Sequence, residues 1–433
     1  MLVNRVQALA ASTGNANGTA PGESVLWNRV FVALVAAVVT VLIAGPIVSG
    51  QNFVTPNGEN KLRKDHYLYL ARNLVHGDLT VDGIPSAYPD TLEWNGHTYL
   101  PLGPLPAVVL IPFLPLLEMG LNLVAVGLFL TLLNVWLLYK VLLQIGVRDA
   151  RLKWSLMLFF GGTVYLSTAV NGTSWFLAHI VTITFLLLSL SMVLNMKHPY
   201  MAGALLGLAG MSRFTVLFAL PFFVIMLLYR QGTEGEKVAM REFAGRVGML
   251  LLGIAGPVLL LALYNYARFG NPLETGYSHV VMKDPVLADA LSHGLFSIVH
   301  IPKNLFMLLV QGPLPFPNET AGILQFPYLR PSEWGMGIFY TSPALLYIFR
   351  AKLPKPLVWA CWLGVVCVMV PIITYYGVGW VQFGYRYALD FTPFLVLLAA
   401  LGMPANMSTK ARLLIVLSVA VNLWGSSFLM QSY

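Results

Sequence analysis

The chain has 433 residues, of which 57% are hydrophobic and only 10% charged, and its formal net charge is +8. Soluble globular domains contain about 25% charged residues, so the composition excludes that class. Most lysines and arginines stand at the ends of apolar runs, where they indicate membrane topology and not nucleic-acid binding. Cys361 and Cys367 lie within one apolar run, which excludes a disulfide framework. We therefore predict an all-α, multi-pass protein of the cell membrane.

The chain divides into a short polar beginning and a long apolar remainder. Residues 1–25 are small and polar and predict a disordered cytoplasmic tail, whereas residues 26–433 predict a single transmembrane domain. Since about 20 apolar residues cross a bilayer core, the apolar runs predict about 11 transmembrane helices. These predicted spans lie at roughly 27–49, 121–143, 153–170, 174–194, 200–212, 214–229, 247–267, 335–349, 356–376, 386–403 and 412–430.

One further apolar stretch, residues 99–118, differs from these runs because prolines interrupt it repeatedly. Proline removes a backbone donor and clashes with the preceding helical turn, so a straight helix facing lipid is not expected here. We predict an interfacial or re-entrant segment that is shielded by the rest of the protein.

The distribution of charge predicts which face of the membrane carries the chemistry. With this count of spans, most of the 26 lysines and arginines fall on the side of the N-terminus, which the positive-inside rule makes cytoplasmic. Two long outer loops, residues 50–120 and 268–334, contain most of the 18 acidic residues. The sequence has no phosphate-binding GxxxxGK[ST] motif. The chemistry is therefore expected on the non-cytoplasmic face.

The first outer loop predicts a surface helix followed by a hairpin. Leu62, Tyr69, Leu70 and Leu74 form an amphipathic stripe suited to a membrane surface, and Asp65 precedes Tyr69 by one helical turn. Further on, the sequence Trp-Asn-Gly-His at 94–97 predicts a tight turn between two short strands.

This order of features resembles the membrane glycosyltransferases of the GT-C fold, which include protein O-mannosyltransferases and aminoarabinose transferases. One spanning helix is followed by an acidic residue, a Tyr-Leu-Ala-Arg helix and a Pro-Leu-Pro segment that enters the membrane. Residues 202–213, 264–277 and 380–394 are similar to later segments of the family and of an uncharacterised bacterial subgroup. The resemblance covers roughly residues 27–403.

The resemblance implies transfer of a sugar from a polyprenyl-phosphate carrier to an acceptor outside the cytoplasm. It makes Asp65 the first candidate for the catalytic base and Asp90 the second, while His66 stands where the family often has a second acid. The implied lipid-phosphate ligands are Arg386 and Arg213, because guanidinium matches phosphate. The implied contacts with donor or acceptor are His66, Tyr69 and Tyr385.

Each candidate acid also has a structural explanation. Asp65 lies beside Lys64 and four residues after Lys61, so a solvated ion pair on the surface helix explains it equally well. Asp90 lies in turn-rich sequence, where aspartate commonly accepts hydrogen bonds from its own backbone.

The candidate basic residues and histidines have structural explanations too. Arg386 and Asp390 are four residues apart and could form an ion pair, and Arg213 could extend to lipid head groups. His179 lies in an apolar helix and is interpreted as a hydrogen-bonded core residue. His66, His76 and His97 share the first loop with many acids, which leaves a divalent metal ion open although no ligand spacing supports it.

Three classes of function remain open. The first is the glycosyltransferase, an enzyme whose partners would be membrane lipids, a polyprenyl-phosphate-linked sugar and an acceptor of undefined chemistry. The second is an inactive scaffold or accessory subunit of a larger membrane complex. The third is a transporter or flippase, which needs polar groups near the bilayer midplane; Asp390 is the acid placed well inside a predicted span.

Overall fold

The computed structural model of the chain describes residues 25–48, 65–85, 88, 90–195, 198–229, 236–280, 285–318, 322–352 and 355–432. The predicted tail lies almost entirely outside the described residues, and so do Lys61 and Lys64.

The described residues are mostly helical and include six short strands. The first part contains α1 (Val25–Val48), α2 (His66–Leu74), β1 (Leu92–Trp94), β2 (His97–Tyr99), α3 (Leu105–Leu110), α4 (Leu114–Glu118), α5 (Leu123–Gln144), α6 (Asp149–Gly161) and α7 (Tyr165–Asn171). The middle contains α8 (Ser174–Leu194), α9 (Pro199–Ser212), α10 (Leu220–Leu228), α11 (Met240–Phe269), α12 (Pro285–Ser292), α13 (Ile301–Leu305), β3 (Leu314–Pro317) and β4 (Leu324–Arg330). The last part contains β5 (Trp334–Met336), α14 (Ile338–Thr341), α15 (Pro356–Thr374), β6 (Gln382–Gly384), α16 (Thr392–Gly402) and α17 (Thr409–Ser432).

Tighter helical turns link several of these elements. They are 3₁₀ turns at Ile111–Phe113, Phe214–Ala219, Tyr277–His279, Ile298–His300, Pro343–Arg350 and Arg386–Asp390, and a π-helical turn at Phe306–Val310.

Long apolar helices identify a membrane protein. In the described part of the chain, six helices are long and apolar enough to cross a membrane: α1, α5, α8, α11, α15 and α17. All six coincide with predicted spans, and shorter apolar helical stretches occur at Leu105–Glu118, Phe214–Leu228, Ile298–Val310 and Thr392–Gly402. The prediction of a helical, multi-pass membrane protein is confirmed at this level, while the number of spans stays a prediction.

Four predicted spans, 153–170, 214–229, 335–349 and 386–403, are not single α-helices in the described residues. The stretch 153–170 breaks between α6 and α7, where Gly162 approaches the Ser418 side chain of α17 so closely that an added Cβ would lie 3.0 Å from it. The stretch 335–349 begins in β5, where Gly335 has a φ of +93°, and continues through α14 into a 3₁₀ turn. The close helix contact marks the break in 153–170, and the left-handed glycine precedes the helical part of 335–349. Hydropathy registers neither feature.

The proline-rich stretch 99–118 also forms broken helix. It consists of α3, a 3₁₀ turn and α4 in series, in agreement with the helix-breaking effect of its prolines. Leu105 and Leu110 pack with Tyr67 and Leu70 of α2 and with Leu177 of α8 in one buried apolar cluster. The surface helix α2 therefore rests on this stretch and on the beginning of α8.

The predicted hairpin is confirmed. β1 and β2 pair antiparallel, with Trp94 opposite His97, and the two connecting residues Asn95 and Gly96 have φ of +50° and +80°. Positive φ at both turn residues is the backbone that an Asn-Gly turn favours between twisted strands.

Direct backbone packing joins α9 and α11. A Cβ added at Gly203 of α9 would collide with the carbonyl oxygen of Leu250, and one added at Gly253 of α11 would collide with that of Tyr200. Small residues at such crossings let apolar helices approach closely, as is common in membranes. This contact helps to fix the end of α9, after which Arg213 follows.

Candidate active site at the start of α8

Asp65 immediately precedes α2 and is buried, with 6% of its surface exposed. Its backbone carbonyl accepts the Leu68 N–H at 2.9 Å, but its carboxylate makes no capping hydrogen bond to the helix. The Asp65 N–H donates to the hydroxyl oxygen of Tyr88 at 3.5 Å. Asp65 is therefore not on a solvated surface, while its ion pair with Lys61 or Lys64, which lie outside the described residues, stays a prediction.

His66 anchors α2 to the start of α8. Its ring is fully buried, and Nδ1 lies 2.6 Å from Oγ of Ser174, the first residue of α8. The ring also contacts Tyr88 and Trp175, at centroid distances of 5.1 Å and 5.3 Å. These contacts give His66 a structural task at the place where a second acid was considered.

Asp90 reaches the same helix start from the loop that precedes the hairpin. Its Oδ2 accepts the indole N–H of Trp175 at 2.8 Å, and its backbone has a φ of +56°. The structure thus brings Asp65, His66 and Asp90 together around Ser174 and Trp175. The positive end of the α8 dipole favours carboxylates at this position.

Half-buried Tyr277 and buried Tyr376 lie near Asp90. Partial burial, together with the nearby Asp90 carboxylate, raises the pKa of the Tyr277 hydroxyl well above its ordinary value. Burial also raises the pKa of Tyr376, just beyond the end of α15, to about 12, and the charge of Asp90 contributes to the rise. Both hydroxyls therefore remain protonated at neutral pH and can donate hydrogen bonds.

Arg213 is neutralised by Asp390. Its Nε donates to both carboxylate oxygens, at 2.7 Å and 2.9 Å, and the Thr215 hydroxyl donates to the same carboxylate. His179 Nδ1 lies 3.2 Å from Asp390 Oδ1, so the buried histidine completes a polar cluster around this acid. Arg213 is placed as an internal ion-pair partner, which leaves its predicted role toward lipid phosphate untested.

Arg386 has a different environment from Arg213. Only 7% of its surface is exposed, and its Nη1 donates to the carbonyl of Trp380 at 3.0 Å. Within the described part of the chain its Nε has no hydrogen-bond partner and no carboxylate lies at ion-pair distance. The expected ion pair between Arg386 and Asp390 is wrong, because both lie in a 3₁₀ turn, where residues four apart do not share a face.

The two arginines converge on one aromatic ring. The guanidinium carbon lies above the Tyr387 ring at 5.1 Å for Arg213 and at 5.4 Å for Arg386. Arg386 also lies 5.4 Å from the ring of Phe176, the residue after Trp175 in α8. Arg386, Asp90 and His66, the neighbour of Asp65, therefore contact three consecutive residues at the same helix start.

The predicted contact residues Tyr69 and Tyr385 have different neighbours. Tyr69 faces Tyr88, with ring centroids 6.0 Å apart, on the side of α2. Tyr385 is fully buried and packs against Tyr387 at 5.9 Å. Their predicted contacts with donor or acceptor stay predictions.

Of two cavities in the structure, one lies next to these residues and the other lies apart from them. One of about 270 Å³ is lined by Trp380 and Gln382, next to the carbonyl that holds Arg386, and by Pro331 and Glu333. A larger apolar one, of about 580 Å³, lies between α10 and α15 and is lined by none of the site residues. We associate the smaller cavity with the site because it adjoins the Arg386 segment.

The divalent ion that the sequence left open has no ligand cluster in the described residues. No group of three or more histidine, cysteine, aspartate and glutamate side chains there could hold a metal ion. His97 instead pairs with Asp82 at 2.7 Å on the exposed hairpin.

The residues that organise the site were not predicted from the sequence. Ser174, Trp175 and Phe176 open α8 and contact His66, Asp90 and Arg386 in turn. Their signal was weak: a serine followed by two aromatic residues at a predicted helix start. The tyrosines that approach Asp90 lie nearly 200 residues or more from it, so only the folded chain reveals them.

In comparisons with protein-family models, with curated proteins and with solved structures, nothing matches this chain.

Proposed function

We propose that the chain is a membrane glycosyltransferase of the GT-C type, which moves a sugar from a polyprenyl-phosphate carrier to an acceptor on the non-cytoplasmic face. The observation that carries the proposal is Arg386, a buried guanidinium with no carboxylate partner among the described residues. A buried charge without a counter-ion is costly, so its retention favours a ligand that supplies the negative charge. Phosphate suits the planar guanidinium.

The topology is part of the proposal. The N-terminus would be cytoplasmic, about 11 helices would span the membrane, and the start of α8 would face outward. The support is the charge distribution in the sequence, because basic residues concentrate in short connections and acidic residues in two long loops. A donor on that face has to be lipid-borne, since soluble nucleotide sugars are cytoplasmic substrates.

The proposed reaction needs one base and one cation. The acceptor hydroxyl or amine attacks the anomeric carbon, and its proton passes to a carboxylate. The bond between the anomeric carbon and the phosphate oxygen breaks, and polyprenyl phosphate leaves with the bonding electrons. Arg386 would offset the negative charge that grows on the departing phosphate. Attack opposite the leaving group inverts the anomeric carbon.

Asp65 is the better candidate for the base. One oxygen of Asp90 is already occupied by the indole N–H of Trp175, which suits a positioning role. Asp65 is the more deeply buried carboxylate, so its surroundings exclude more of the water that would compete with the acceptor. Asp90 would then orient the acceptor together with the protonated hydroxyls of Tyr277 and Tyr376.

The test separates binding from transfer. Purified full-length protein in detergent is mixed with radiolabelled polyprenyl phosphate, and the wild type is compared with Arg386→Gln and Arg386→Lys. Arg268→Gln is the matched control, because Arg268 is also buried between aromatic rings but donates to the Leu100 carbonyl and to Asn265. We expect Arg386→Gln to lose binding, Arg386→Lys to retain part of it and the control to retain it all. Equal binding by all variants would overturn the assignment of Arg386.

The transfer step is followed by release of polyprenyl phosphate from a panel of polyprenyl-phosphate sugars, with membrane extract as the acceptor source. Asp65→Asn should bind the carrier normally yet release none of it above background. Release that is undiminished in Asp65→Asn would remove Asp65 as the base.

A non-catalytic accessory subunit is the second candidate. The observation in its favour is that His66 is buried and bonded to Ser174 at the place where the family often has a second acid. Such a subunit would bind the carrier through Arg386, show no release with any sugar and co-purify with a stoichiometric partner. The transporter alternative is weaker, since Asp390 is fully buried and bonded to Arg213.

A further inference from the structure

The β3–β4 hairpin presents an apolar face that nothing in the described chain covers. Leu324, Phe326 and Tyr328 of β4 are each more than half exposed, at 53%, 83% and 55% of their surfaces. On the paired strand, Pro315 and Pro317 are exposed as well. A two-stranded hairpin is marginally stable by itself, so an exposed face of this kind indicates a surface on which it rests.

The composition of the hairpin favours lipid as that surface. Its described residues 314–318 and 322–329 include no charged side chain, and Arg330 at its base lies 3.8 Å from Glu333. Phenylalanine and tyrosine on one strand suit the boundary between head groups and acyl chains.

Prolines remove the usual obstacle to placing a strand edge near lipid. An open β-edge exposes unpaired N–H groups, which are costly where water is scarce. Pro315 and Pro317 in β3 and Pro327 in β4 have no N–H to expose. The edges of this hairpin therefore carry fewer unsatisfied donors than an ordinary pair of strands.

The root of the hairpin joins an apolar helical segment that is itself exposed. The Gly337 N–H donates to the carbonyl of Gln311 at 2.8 Å, which closes the base of the hairpin onto the end of the segment Ile298–Val310. In that segment 78% of Ile298 and 54% of Val310 are exposed. The apolar face of the hairpin thus continues a surface that suits contact with lipid.

We propose that the β3–β4 hairpin lies in the lipid interface, with Leu324, Phe326 and Tyr328 directed toward the acyl chains. The occupant of the face is the bilayer itself, and because Leu324, Phe326 and Tyr328 are uncharged the contact is independent of anionic lipid. This inference goes beyond sugar transfer and does not require it.

A membrane-bound hairpin would also set the depth of Arg386. The Gln382 N–H donates to the carbonyl of Glu333, just beyond the hairpin, and the Arg386 N–H donates to the Gln382 side chain at 3.3 Å. A short chain of hydrogen bonds therefore connects the hairpin base to the buried cation.

The experiment measures the depth of a spin label in a bilayer. Full-length protein with Cys361→Ala and Cys367→Ala receives a single cysteine by Phe326→Cys, by Gln325→Cys at the half-buried neighbouring position, or by Asn95→Cys at the tip of the β1–β2 hairpin. The labelled proteins are reconstituted in phosphatidylcholine vesicles. Collisions with oxygen, which concentrates in lipid, and with a water-soluble nickel chelate are then compared.

We expect the label at 326 to collide mainly with oxygen, the label at 95 mainly with the nickel chelate, and the label at 325 to fall between them. Addition of phosphatidylglycerol should leave this order unchanged. Nickel collisions at 326 equal to those at 95 would show that the face meets water and overturn the proposal. Shielding of 326 from both reagents would also overturn it, because a protein partner or a second copy would then cover the face. Tyr328→Cys repeats the measurement if Phe326→Cys does not fold.

Discussion

Arg213 and Arg386 approach the same Tyr387 ring, yet only one of them has its charge balanced. Arg213 donates to both oxygens of Asp390 within a buried cluster that includes Thr215. Arg386 donates one hydrogen bond to a backbone carbonyl and has no carboxylate partner in the described chain. The first arrangement is complete in itself, whereas the second lacks an anion. This difference separates the structural arginine from the one available to a ligand.

The largest expected effect on stability comes from removing one partner of the Arg213–Asp390 ion pair. Asp390→Asn would leave the Arg213 guanidinium, whose side chain is only 19% exposed, without its partner, and we expect the free energy of unfolding in detergent to fall by up to about 3 kcal/mol. Replacing both members, with Arg213→Met and Asp390→Leu, should restore most of the loss because no buried charge remains. A double variant as unstable as Asp390→Asn would contradict the ion-pair explanation.

Substitution of Arg386, which has no carboxylate partner in the described chain, should change stability in the opposite direction. Arg386→Met removes a buried charge that has one hydrogen bond, so we expect the free energy of unfolding to stay equal or to rise. Polyprenyl phosphate should stabilise the wild type against heat but not this variant. Loss of a charge-assisted contact weakens binding on the order of 10- to 100-fold. A large loss of stability without ligand would instead make Arg386 structural.

A smaller effect is expected at the acids. Trp175→Phe removes the indole N–H that holds Asp90 Oδ2 but keeps an aromatic ring beside His66. We expect turnover to fall about tenfold, as for one hydrogen bond to a charged group, while carrier binding is unchanged. A fall in binding with unchanged turnover would show that Trp175 serves the cation and not the acid.

The smallest effect concerns the exposed pair on the β1–β2 hairpin, which contrasts with the buried pair at Asp390. Hydrogen bonding to Asp82 raises the pKa of His97. Partial burial works against ionised Asp82, but the bonds from His97 and from the Thr98 N–H keep its pKa below the ordinary value.

The pH dependence of this pair follows from the directions of the two pKa shifts. The stability that charged His97 contributes to the hairpin is complete below about pH 6.5 and is lost as pH rises through its raised pKa. The contribution of Asp82 is complete above about pH 4 and is lost as pH falls through its lowered pKa. Hydrogen exchange of the Thr98 amide should therefore be slowest, relative to His97→Gln, between about pH 4 and 6.5. Identical pH profiles for wild type and variant would refute the pairing.

Local features of the fold followed from the sequence, while long-range pairings did not. Runs of apolar residues predicted the six long helices, and an Asn-Gly pair predicted the β1–β2 turn. An ion pair of Asp390 with Arg386, four residues away, was the structural alternative because that spacing shares a face in an α-helix. The 3₁₀ turn at Arg386–Asp390 places these two side chains on different faces. Asp390 instead pairs with Arg213, which is 177 positions away in the sequence.

The same limit applied to the site. Asp65, Asp90 and Arg386 could be selected one at a time as polar residues in unusual places. Their common support, the start of α8, could not be inferred because Ser174, Trp175 and Phe176 are individually ordinary. Packing of α2 against α8 brings them together, and that packing depends on the buried apolar cluster around Leu70 and Leu177.

The most direct measurement is a structure of the full-length protein determined with polyprenyl phosphate bound. Density for the phosphate should lie within hydrogen-bond reach of the Arg386 guanidinium, at about 2.7–2.9 Å, and on the side of the site where Asp65 and Asp90 meet. Arg213 should keep its bonds to Asp390 in that complex. Phosphate density at another place, with Arg386 unchanged and still without an anion, would contradict the role assigned to this arginine.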